Sequence, residues 1–64
     1  MKLIAKVNNM HITADDVKKY GRYIVARYDG IELWYYGVYE TRKRAEEVAW
    51  EIRNGIVLEA EVEE

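Results

Sequence analysis

Residues 22–40, RYIVARYDGIELWYYGVYE, constrain this chain more than any other stretch. Asp29-Gly30 is a favoured turn pair between two β-prone runs, so the segment reads as a β-hairpin. A two-residue type I′ turn predicts that Tyr28 faces Ile31, Ala26 faces Leu33, Val25 faces Trp34 and Tyr23 faces Tyr36. Side chains alternate between the faces of a strand. One face then holds Ile24, Ala26, Tyr28, Ile31, Leu33 and Tyr35. The other holds Tyr23, Val25, Trp34, Tyr36 and Val38, with Arg27 and Glu32 as a cross-strand ion pair. A hairpin apolar on both faces must be covered twice, by its own chain or by a partner.

The rest of the chain supplies the cover. Residues 2–7, KLIAKV, read as a short strand with Leu3, Ala5 and Val7 on one face. Thr13 and Asp16 form an acidic capping box, with Ile12 and Val17 placed as a hydrophobic staple. Asp15, Asp16, Lys18 and Lys19 complement the dipole, and Gly21 ends this helix of about two turns. A second helix runs from Thr41 to about Arg53, with Ala45, Val48, Ala49 and Ile52 as its apolar stripe. Trp50 falls on nearly the opposite side, and is expected to pack on Arg53, Glu46 or a terminal segment. Asn54-Gly55 stops that helix. A last strand carries Ile56, Leu58, Ala60 and Val62 on one face.

The order β-α-β-β-α-β predicts a small α+β domain of the ferredoxin-like kind, a four-stranded sheet with two helices on one face. There the first strand is central, and the acidic last strand forms an edge that its glutamates protect from aggregation. The alternative is a three-stranded antiparallel sheet packed on one main helix, with the first 20 residues peripheral. At 64 residues the chain reads as a single domain, 1–64, with a marginal core.

Chemistry is bounded mainly by what is missing. The chain has no cysteine and no serine, and His11 is its only histidine. Disulfides, serine or cysteine nucleophiles and multi-histidine metal sites are therefore out of reach. His11 with Asp15 and Asp16 is a weak metal set, because both aspartates already serve the helix start. The four glycines stand singly at caps, turns or a bulge, so there is no phosphate-binding loop. The expectation is a protein without catalysis, cofactor, metal or small-molecule substrate. The first residues, MKLIAKVNN, hold too short an apolar run for a signal peptide, and none elsewhere suits a membrane span. The chain reads as cytoplasmic.

Two surfaces are candidates. If both helices cover the aliphatic face, Tyr23, Val25, Trp34, Tyr36 and Val38 lie open beside Ile4, as a docking face for a protein partner or a second copy of the chain. The second candidate is the cationic trio Arg42, Lys43 and Arg44 in the first turn of the second helix, where the dipole favours anions. With Lys2, Lys6 and Arg27 it suggests single-stranded nucleic-acid binding on the same sheet. Pairing with Glu46 and Glu47 is the simpler account of the trio, leaving one cation in surplus. Net charge is −2, and uneven: residues 1–30 hold six Lys/Arg against three Asp, residues 31–64 four against nine Glu. Duplex-DNA binders are usually basic overall.

Residues 34–49, WYYGVYETRKRAEEVA, resemble the last-strand-to-helix passage of the plant ethylene-response-factor DNA-binding domain in Gly37, Tyr39, Glu40, Thr41 and Ala45. That resemblance covers about a quarter of the chain and implies a sheet that enters the major groove, with Tyr35 at a contacting tryptophan's place. The family's dense arginines are missing from the preceding strand, and Glu32 and the net acidity are further departures. The passage is also similar to RNA-recognition motifs. Any strand that turns into a packed helix tends to produce this pattern, so neither resemblance assigns a family.

Overall fold

The computed structural model describes residues 2, 3 and 5–62. Its elements are β1 (Val7–Asn8), α1 (Ala14–Tyr20), β2 (Tyr23–Tyr28), β3 (Leu33–Tyr39), α2 (Arg42–Glu51) and β4 (Gly55–Glu59). They form a small α+β fold around one mixed four-stranded sheet in the order β1-β3-β2-β4.

That order differs from the ferredoxin-like expectation. β3, α2 and β4 do form a crossover unit: β3 and β4 both pair antiparallel with β2, so they run parallel to each other with β2 between them. The first half departs from it. β1 is short, lies at an edge and pairs parallel with β3 at Val7–Leu33 and Asn8–Trp34. It therefore runs antiparallel to β2, and α1 is not a crossover helix. Of the 2–7 strand, the sheet takes only Val7. Further back, Lys2 forms an isolated antiparallel bridge with Glu61, beyond the end of β4. The N-terminal segment thus passes from one edge of the sheet to the other. The expected place of Ile4 on the open face lies outside the described residues.

The helices lie on opposite faces, which corrects the one-sided expectation. Along β2, Ile24, Val25 and Ala26 are each completely buried. Successive residues point to opposite sides, so both sides are covered. On one side Ile24 and Ala26 pack with Val7, Val17, Leu58 and Ala60, bordered by Leu3, Met10, Ile12, Leu33, Tyr35, Val38 and Val62. On the other, Val25 packs with Ala45 and Val48 of α2, bordered by Tyr23, Tyr39, Ala49, Ile52 and Val57. The stripe read from sequence for α2 is the one it buries. So is the last strand's Leu58, Ala60 and Val62 face, while Ile56 remains more than a third exposed.

Local chemistry sets the helix ends. The Asp16 amide donates to Thr13 Oγ1 at 3.3 Å, and the Thr13 amide donates to Asp16 Oδ2 at 2.9 Å. This is a complete capping box. α1 ends at Gly21, whose φ of 123° suits only glycine. An added Cβ there would strike the backbone at Tyr39 and Glu40, so a bare backbone lets the end of α1 abut the end of β3. Thr41 caps α2, its hydroxyl accepting from the Arg44 amide at 3.2 Å. At the far end of α2, Asn54 takes a left-handed φ of 60°, and its carbonyl accepts from the Tyr28 amide at 3.0 Å.

Candidate functional site

The hairpin exists, but its turn and register differ from expectation. The observed pairs are Tyr28–Leu33, Arg27–Trp34 and Ala26–Tyr35, then Val25–Gly37, Ile24–Val38 and Tyr23–Tyr39. The loop is four residues long, 29–32, because a type I′ turn needs a positive φ at both central residues and only Gly30 has one, at 102°. Asp29 instead closes the loop with its side chain. Its Oδ1 accepts from the amides of Ile31 at 2.8 Å and Glu32 at 2.7 Å. Arg27 therefore faces Trp34 rather than Glu32, and the expected ion pair is not made. A two-residue shift preserves the faces, since alternation has period two.

A β-bulge at Tyr36–Gly37 does change a face. β3 has one residue more than β2 between the pairs Ala26–Tyr35 and Val25–Gly37. An added Cβ on Gly37 would meet the outer end of the Tyr39 ring, with its hydroxyl at 2.7 Å, so glycine lets that ring lie close over the bulge. The bulge turns Val38 to the side of α1, where it borders the buried cluster.

The five residues expected as one open patch are therefore divided. Val25 is buried under α2, Tyr23 is half-buried beside it, and Val38 packs on the opposite side. α2 runs over β2 and β4 more than over β3. That placement leaves Trp34 43% and Tyr36 53% exposed on the α2 side of β3. Ile31, expected on the covered aliphatic face, instead stands 88% exposed at the loop tip, and sequence reasoning missed the role of Asp29. The Trp34 indole N–H donates to Asp29 Oδ2 at 2.7 Å. The loop amides, above all that of Glu32, and the indole hold the Asp29 carboxyl below its ordinary pKa. An Asp whose side chain can accept from amides two and three residues on is the sequence signal for such a loop.

The basic residues do not converge. Arg42 Nη2 lies 3.3 Å from Glu59 and Nη1 4.0 Å from Glu46, and the guanidinium sits 5.2 Å from the centroid of the Tyr23 ring. Arg44 pairs with Glu47 at 3.4 Å. Lys43 has no ion pair among the described residues and is the surplus cation. The trio is mainly a paired helix start. Lys2 and Arg42 lie towards the Glu59–Glu61 end of the sheet, and Lys6 and Arg27 towards the hairpin loop. Arg27 lies four steps along β2 from Tyr23, about 13 Å at the usual strand rise. His11 Nε2 meets Asn9 Oδ1 at 3.1 Å, and no group of metal-ligating side chains forms among the described residues. No helix there is long and apolar enough to cross a membrane.

Compared with family models, curated proteins and solved structures, the chain matches none.

Proposed function

We propose that this chain is a small non-enzymatic binding module that docks through the Trp34–Tyr36 face of β3, with a second copy of itself as the occupant to test first. One observation carries the reading. The face of the sheet that α2 seals over Val25 continues, on β3, into two large aromatic side chains with about half their surface in water. In so short a chain, apolar surface is scarce and is normally used inside. A net charge of −2 opposes self-contact only weakly.

The test is sedimentation equilibrium from micromolar to millimolar concentration, on the wild type and on Trp34→Ala. The wild type is expected to associate. Removal of a central aromatic anchor should weaken that association by about 2 kcal/mol or more. A wild type that stays monomeric throughout, or a Trp34→Ala chain that associates equally well, defeats the reading.

One observation favours single-stranded nucleic acid on the same face: Arg27 is exposed directly across from Trp34. Against it stand the neighbouring carboxylates of Asp29 and Glu32 and the scatter of the other cations. Titration with oligothymidylate at low and high salt separates the two readings. Binding that collapses as salt rises would put the nucleic-acid reading first.

A further inference from the structure

One carboxylate organises the docking face. Asp29 takes two backbone amides on Oδ1 and the Trp34 indole N–H on Oδ2, at 2.7–2.8 Å. Its own amide donates to the Glu32 carbonyl at 3.1 Å, and the Tyr28 hydroxyl donates to the Gly30 carbonyl at 2.9 Å. The loop is thus tied from both sides, and the tryptophan beside it is tied to the loop. Hydrogen bonds to an ionised acceptor are stronger than neutral ones. An exposed tryptophan would otherwise lose rotamer freedom when a partner arrives, and that ordering weakens association.

We propose that Asp29 is the positioning residue of the docking face: it holds Trp34 in one posture and occupies the only hydrogen-bond donor the indole has. The proposal rests on the docking reading above and defines the contact chemistry further. A partner meets the faces and carbon edge of the ring, which suit an aliphatic or cationic side chain. A hydrogen-bond acceptor aimed at the indole nitrogen finds it taken, and the carboxylates of Asp29 and Glu32 disfavour an anion.

Asp29→Asn tests this in a Trp50→Phe background, where Trp34 is the one remaining indole. The amide can keep an oxygen towards the Ile31 and Glu32 amides, but then turns an N–H towards the indole N–H, two donors face to face. Amide hydrogen exchange should leave Ile31 and Glu32 protected, while the Trp34 Nε1 proton exchanges about tenfold faster. Association should weaken by roughly threefold to tenfold, the effect of one newly freed side chain. In a Trp34→Phe chain, which has no such N–H, Asp29→Asn should leave association unchanged.

Unchanged indole exchange overturns the proposal. So does a loss of association that is equal whether Trp34 is kept or replaced by phenylalanine, the signature of a loop that merely folds less well. If the wild type never associates, the docking reading fails by itself, and the exchange measurement alone decides whether Asp29 holds the ring.

Discussion

At the scale of single residues, the chain resolves a conflict between charge and helix dipole by pairing. Arg42 and Arg44 stand in the first turn of α2, where the free amides already make the end positive. Glu46, Glu47 and Glu59 answer them, but such exposed pairs are weak. Arg44→Glu should therefore stabilise the fold by roughly 0.5 kcal/mol, read as a small rise in Tm. The new acid would complete a capping box with Thr41 and suit the dipole, and these gains should exceed the loss of a surface pair with Glu47. Lost partner binding in a fully folded Arg44→Glu chain would instead make the trio functional. Asp29 predicts a pH dependence. Its folded pKa lies below its ordinary value, so its stabilising effect is present above the unfolded pKa and is lost as pH falls through the folded one. Stability measured by denaturant from neutral to acid pH should fall in that window, and Asp29→Asn should flatten that part of the curve.

At the scale of elements, caps and stripes were legible and long-range pairings were not. α1 depends on its reciprocal Thr13–Asp16 cap because seven residues give it little stability of its own. Thr13→Ala should cost about 1 kcal/mol, with the loss of amide protection concentrated in α1. A uniform loss across β2 and β4 would mean that α1 is integral to the sheet. The cap could be read because its chemistry spans four residues. The α2 stripe could be read because Ala45, Val48, Ala49 and Ile52 keep one helical period. The hairpin turn misled because Asp29-Gly30 serves two turn chemistries, and what decides between them is a carboxylate bonded to Ile31, Glu32 and Trp34. Val38 misled because a bulge reverses alternation, and Gly37 alone says only that one can form. The place of β1 was illegible in principle. Nothing within Val7–Asn8 encodes that this strand will lie at an edge and run parallel to β3. Of the candidate site, Trp34 and Tyr36 emerged from periodicity, whereas Ile31 and the use of Asp29 needed the folded loop.

At the scale of the whole molecule, a thin sheet is sealed by α1 and the N-terminal segment on one side and by α2 on the other, with a few large apolar groups left in water. Trp50 lies off the buried stripe of α2, as expected, but at 90% exposure it is almost uncovered instead of packed on Arg53, Glu46 or a terminal segment. Trp50→Lys should change stability by less than about 0.5 kcal/mol, checked by denaturant unfolding. A larger loss would show that Trp50 is covered in solution. The bridge between Lys2 and Glu61 also bears on when the molecule can fold. While the chain is being made, β2 and β3 can pair as soon as they emerge, but Ile24 and Ala26 must wait for Leu58 and Ala60 before their side is closed. Until then the hairpin offers β2 as a bare edge, and its aliphatic face stays wet. The fold therefore closes only when the last strand docks on β2, however early the hairpin pairs. The dangerous interval for aggregation belongs to that nascent hairpin, and not to the finished protein with its glutamate-bearing rim.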